Sequence, residues 1–201
     1  MAATDTGNRP PGADRATRTR VARSALIACC LLVAACAPRL PPPPASLAAV
    51  VVLPIADASD RSAVTGVFTF YSWIAEARDA VPSQLTTGLR ETLDRRGIAT
   101  RDGRPADSTQ AAIAQAERLD APVLYVVLYK WEAENRTSPQ FVSVALEATL
   151  LAPGSGKTLW TTGRVAMPVS TLNAIDLTSA YRMATESVAE WLVENWTGTA
   201  R

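Results

Sequence analysis

The sequence predicts an α/β fold: a single domain with one mixed sheet, elements in the order β-α-(β)-α-β-β-β-α, and a C-terminal helix. Three observations lead to it. Two runs, Leu47 to Leu53 and Pro122 to Trp131, are apolar almost throughout, as strands buried on both faces are. Two stretches, 82–96 and 175–195, place apolar residues at helical spacing. Between them Phe141 to Leu151 alternates at a period of two and is followed by Pro153-Gly-Ser-Gly156 and a second apolar-rich run, the pattern of an antiparallel hairpin.

Taken in order, the domain begins with Leu47-Ala-Ala-Val-Val-Val-Leu-Pro54, where proline ends the first strand. Ile55 to Ser62 reads as polar loop, with Asp57 and Asp60 solvated in it. Val64 to Ile74 follows with its aromatics close together and no clear period, so a packed loop or short strand is expected. Within it Phe70, Tyr71 and Trp73 are candidate partner-binding residues, because aromatic side chains anchor interfaces; the alternative is that they cap the end of the core. The first helix is expected over Pro82 to Arg96. Pro82 suits the first turn, Gly97 the stop, and Val81, Leu85, Leu89, Thr92 and Leu93 share one face. Ile98 to Asp102 reads as a short strand. Ser108 is the predicted cap of a second helix running to Leu119, with Ala112, Ile113, Ala116 and Leu119 inward.

Pro122 to Trp131 is expected at the centre of the sheet. In Phe141 to Leu151, Val142, Val144, Leu146, Ala148 and Leu150 face the core, and Phe141, Ser143, Ala145, Glu147 and Thr149 face the other side. Lys157 to Met167 returns as the partner strand, and Pro168 to Asn173 is a link. The last helix, Ile175 to Asn195, carries the stripe Leu177, Ala180, Tyr181, Ala184, Val188, Trp191 and Leu192. Trp191 belongs to the core in this reading. The two inner helices are expected on one face of the sheet, the C-terminal helix on either.

Residues 1–46 are of another kind. Arg15, Arg18, Arg20 and Arg23 precede the uncharged run Ala25 to Cys36, a flank and apolar core like those of a secretory signal. That core is too short to span a bilayer, which takes about 20 residues. It ends in Val33-Ala34-Ala35-Cys36: an aliphatic residue, two small residues and a cysteine, which resembles the lipobox of bacterial lipoproteins. The lipobox implies cleavage before Cys36 and lipidation of Cys36; an ordinary signal peptide cut after Ala35 is the alternative. Leu26-Ile27-Ala28-Cys29 has almost no apolar core before it and is set aside. The expected organisation is a signal peptide over 1–35, a lipidated Pro-rich tether over 36–46, and an α/β domain over 47–197. Pro38 and Pro41 to Pro44 favour extended polyproline II in the tether, at about 3.1 Å per residue.

Composition narrows the chemistry. The chain has no histidine, which excludes Ser-His-Asp and Cys-His catalysis and any imidazole metal site. Its three cysteines, Cys29, Cys30 and Cys36, lie in or at the end of the signal, leaving the domain no thiol, disulfide or thiolate metal site. Residues 36–201 hold 15 basic and 17 acidic side chains, a balance with no electrostatic case for nucleic acid. Gly154-Ser-Gly-Lys-Thr158 looks like the end of a phosphate-binding loop. Leu151 stands where that motif needs its first glycine, and Thr158 onward reads as strand rather than helix. The carboxylate pairs Glu132/Glu134 and Asp57/Asp60 have no apolar surroundings to raise a pKa. The expectation is a protein that is not an enzyme and takes no cofactor and no metal.

The order of a strand ending in Leu53-Pro54, then Asp120-Ala-Pro-Val-Leu-Tyr125, then a hairpin closing in Gly156-Lys-Thr-Leu-Trp160 resembles a group of bacterial envelope lipoproteins. They are often linked to ABC-type transport systems and related in fold to CsgG, LpoB and the TolB amino-terminal domain. Tyr71-Ser-Trp73 before the Pro-started helix, with Trp191-Leu192, is also similar to the PqiC-like auxiliary lipoproteins. Ile55 and Ala56 depart from the group, which tends to have a second proline there. The resemblance implies a membrane-anchored accessory lipoprotein that binds an envelope protein, with ABC transporter components as candidate partners. The alternative is a self-assembling, CsgG-like oligomer. It carries over no catalytic residue and one site, Cys36. Ala37 after the cysteine, rather than aspartate, implies the outer membrane.

Overall fold

The computed structural model describes residues 47–59, 72–134 and 139–197; for Ser72, Trp73 and Thr197 it describes the backbone alone. The strands are β1 (Ala49–Val52), β2 (Ala56–Asp57), β3 (Ala99–Asp102), β4 (Val123–Ala133), β5 (Phe141–Leu151) and β6 (Thr158–Ser170). The helices are α1 (Ser72–Asp79), α2 (Val81–Arg95), α3 (Thr109–Ala116) and α4 (Leu177–Thr197). All six strands form one sheet in the order β3-β1-β4-β5-β6, with β2 also paired to β4. β1 pairs in parallel with β3 and β4, and β4, β5 and β6 run antiparallel. This is the mixed α/β sheet that the sequence predicts.

Local chemistry explains most elements. In α2, Val81, Leu85, Leu89 and Leu93 are buried at helical spacing, with Thr86 and Thr92 beside them. Thr86 Oγ1 donates to the Pro82 carbonyl within the helix and accepts from the Ile55 amide, which ties α2 to the end of β1. Gly97, at φ 76°, takes the left-handed conformation that ends the helix. Ser108 caps α3 as expected, its side chain accepting from the Ala111 amide. Gly88 lies where α2 meets α4: a Cβ there would come 3.5 Å from Ala189 Cβ, so the two helices approach closely.

The first face of the sheet carries Val50, Val52, Leu124, Val126, Leu146, Leu150 and Trp160, buried under α1, α2 and α4. Trp131 and Tyr181 meet there edge to face, ring centroids 6.2 Å apart. The second face carries a smaller cluster, Val51, Leu53, Val123, Tyr125 and Leu151, under Ala112 and Ala116 of α3. Expecting both inner helices on one face was wrong. The chain moves from β1 out to β3 and then back past β1 to β4. Parallel crossovers share one hand, so reversing the direction of travel carries the helix to the opposite face.

Other expectations also change. Ile55 is buried, and Ala56–Asp57 is strand rather than loop. The 72–74 part of the expected loop or strand opens α1, whose inward residues Ile74, Ala77 and Arg78 follow helical spacing. The link expected at Pro168 begins later, because Pro168–Ser170 pair with Phe141–Ser143. Proline is tolerated there because β6 is an edge strand. Trp191 is half-buried against the core, and Trp196 is the more buried of the two. Among the described residues no helix is long and apolar enough to cross a membrane.

Candidate interaction surface

Cys36, Phe70 and Tyr71 lie outside the described residues, and Trp73 is placed only as backbone in the first turn of α1. What the structure does describe is an ion pair between the elements on either side of residues 60–71. Asp57 at the end of β2 and Arg78 in α1 form an ion pair at 3.1 Å, with side chains 8% and 5% exposed. Asp57 Oδ1 also accepts from the Ser59 amide and hydroxyl, at 3.1 and 2.6 Å, and Arg78 donates to Ser59 Oγ. Expecting Asp57 to be solvated in a loop was therefore wrong. The buried guanidinium opposite it, 21 residues away in the chain, offsets the cost of taking the carboxyl group out of water.

The glycine-rich turn is a hairpin turn. The Gly154 amide donates to the Ala116 carbonyl and the Gly156 amide to the Ala152 carbonyl, so these donors are spent within the chain rather than turned outward. At Gly156, φ 62°, a Cβ would lie 2.6 Å from Ile113 Cγ2, so glycine lets the turn close on α3. Among the described residues no group of three His, Cys, Asp or Glu side chains could hold a metal ion.

Among the described residues nothing covers the second face of the sheet beyond α3. Ser143, Arg164, Ala166, Pro168 and Ser170 are exposed there. Tyr129 donates to Glu147 Oε2 at 3.2 Å, and the Arg164 guanidinium lies 4.2 Å from the centre of its ring. Burial, and then the Glu147 charge, push the Tyr129 phenol above its usual range; Tyr125, beneath α3, is raised chiefly by burial. The cluster makes a polar, half-solvated surface.

This face ends in an apolar tip. Phe141 opens β5 beside Ser170 at the end of β6, and the chain then turns through Leu172 and Ile175 into α4. The three side chains are 39%, 67% and 86% exposed. The turn is tightly held. Thr171 donates its amide to Gln140 O at 2.7 Å and its hydroxyl to Pro139 O at 2.8 Å, and the Ala174 amide donates to Thr171 O. Asp176 and Ser179 cap α4 reciprocally: the Ser179 amide donates to Asp176 Oδ1 at 2.7 Å, and Ser179 Oγ accepts from the Asp176 amide at 3.1 Å. These bonds from Ser179 hold the Asp176 carboxyl below its usual pKa. Sequence reasoning placed Phe141 on the outer face but missed Leu172 and Ile175. The one available signal was Ile175 just before an Asp-x-x-Ser cap, a position where an apolar residue ordinarily folds back on the helix.

No protein-family model matches the chain, and no curated protein matches it either. Solved structures do resemble it. A PelC dodecamer from Paraburkholderia phytofirmans is 17% identical, over 76% of this chain and 93% of that one, with a TM-score of 0.48. Protein XCC0632 from Xanthomonas campestris is 16% identical, over 80% and 93%, with a TM-score of 0.44. Lipoprotein GNA1162 from Neisseria meningitidis is 16% identical, over 73% and 99%, with a TM-score of 0.38. At these identities and TM-scores the likeness carries no function across to this chain.

Proposed function

We propose that the protein is a lipid-anchored accessory lipoprotein of the bacterial envelope, held to the outer membrane facing the periplasm, that acts by binding another protein of a transport or assembly system rather than by catalysis. The observation that carries this reading is Val33-Ala34-Ala35-Cys36 at the end of a short apolar run behind four arginines, followed by a proline-rich stretch and then, at Ala49, the first strand of the domain. A thioether-linked diacylglycerol on Cys36 with a further acyl chain on its amine gives the two lipid signals that stable anchoring takes. The resemblance to lipoproteins of ABC-type transport systems favours such a transporter as the partner, with Phe70, Tyr71 and Trp73 as candidate contacts.

The test is fractionation. Cys36→Ser should move the protein from the membrane to the soluble fraction, and continued sedimentation with membranes would overturn the anchor. Sizing of the purified full chain in detergent separates accessory protein from self-assembling subunit. A single copy is expected, and a ring of copies would favour the CsgG-like alternative.

A further inference from the structure

We propose that both edges of the sheet are built to refuse an added strand, so that the protein meets its partners, further copies of itself included, through side-chain surfaces and not by extending its sheet. An edge strand left open offers a row of unpaired amides and carbonyls to any extended chain. At β3, four residues long, side chains take up much of that row. The Ala99 and Gly103 amides donate to the Ala48 and Val52 carbonyls, so Thr100, Asp102 and Arg104 turn their backbone groups away from β1. Asp94, in the last turn of α2, accepts from the Thr100 amide at 3.1 Å and from its hydroxyl at 3.1 and 3.2 Å. Gln115 of α3 accepts from the Arg104 amide at 3.2 Å and donates to the Arg104 carbonyl at 3.0 Å, the pair of bonds that a neighbouring strand would make. Pro105 follows and has no N–H to offer.

β6, the other edge, runs for 13 residues and is blunted differently. Leu151 and Leu150 pair with Thr158 and Trp160, and Thr149 and Ala148 with Thr161 and Gly163, so Leu159 and Thr162 are extra residues that break the row. At the second bulge Thr162 Oγ1 accepts from the Ala148 amide at 2.9 Å, where a regular ladder would supply a carbonyl. Gly163, at φ 60°, turns the chain there. Beyond it the ladder is regular. The Thr171 amide donates to the Gln140 carbonyl, and Phe141 lies opposite Ser170. In an antiparallel pair this alternation points the amides of Val165, Met167 and Val169 at β5 and turns Arg164, Ala166, Pro168 and Ser170 outward. Proline stands within that outward row. Its ring costs β6 no bond to β5 and denies an incoming strand a donor.

The test is sedimentation velocity of the purified full chain in detergent over a wide range of concentration, with amide hydrogen exchange on the same samples. Pro168→Thr completes the outward row of β6 and should associate at a several-fold lower concentration than the wild type. Adding Ala166→Pro removes a neighbouring donor and should restore the single copy, which a merely misfolded variant would not do. Asp94→Ala with Gln115→Ala should open β3 in the same way, whereas Asp94→Asn, which keeps an acceptor for Thr100, should match the wild type. Exchange identifies the contact. The Ala166 amide should slow several-fold as Pro168→Thr associates, and the Asp102 amide as the β3 double variant does. The wild type should stay a single copy, and any larger wild-type assembly should leave both amides exchanging fast. Opened variants that remain single copies would overturn the proposal. So would association that leaves those amides fast, or a wild-type assembly in which they are protected.

Discussion

The sheet face that carries Leu124, Val126, Leu146 and Leu150 lies under two long helices, whereas among the described residues the face that carries Tyr129, Ser143, Glu147 and Arg164 has a helix over only its β1–β4 end. The same strands supply both. Along β5, the residues between Leu146 and Leu150 alternate from dry core to half-solvated surface one position at a time. The difference separates holding the fold together from meeting other molecules. Substitutions on the first face change stability. Substitutions on the part of the second that α3 leaves exposed, and at the tip that ends it, leave the domain intact and change only what it touches.

The largest effects should come from the covered face. Leu146→Ala removes a fully buried side chain from the centre of the first core and should cost about 2–5 kcal/mol in chemical denaturation. Ser143→Ala, on the bare side of the same strand, should stay within about 0.5 kcal/mol. Equal costs would erase the distinction between the faces. A comparable contrast applies to ion pairs. Asp57→Ala leaves the Arg78 guanidinium buried and uncompensated, at about 3–5 kcal/mol. Asp120→Ala breaks the exposed pair with Arg101, side chains 56% and 79% exposed for Arg101 and Asp120, and should cost under about 1 kcal/mol.

The smallest effect is a pH dependence at the base of the tip. The folded Asp176 carboxyl titrates below its usual value because the Ser179 amide and hydroxyl favour the charged form. A depressed folded pKa contributes stability that is present above the unfolded value and is lost as pH falls through the folded one. The melting temperature of the wild type should therefore fall toward that of Asp176→Asn as the pH drops below about 4. A gap between the two that does not narrow on acidification would mean that the cap is not electrostatic.

What was legible in the sequence was what local periodicity records. The inward face of α2, the cap at Ser108, the alternation of β5 and the hairpin turn at Gly154–Gly156 each follow from residues a few positions apart. What was not legible depends on distant parts of the chain. Asp57 reads as a loop carboxylate until Arg78 is brought against it. The face taken by α3 follows from the position of β3 at the sheet edge, which no local pattern states. Ile175 reads as the first apolar residue of the last helix, and its exposure appears only once Ala180 is seen buried without it. Cys36 lies outside the described residues, and the lipidation proposed for it is a covalent event that the fold does not test.

The most direct measurement is therefore the mass of the mature protein extracted from membranes. The account predicts a chain that starts at Cys36 and carries diacylglycerol on its sulfur and an acyl group on its amine. A chain that retains residues 1–35, or one with an unmodified thiol at Cys36, would contradict it.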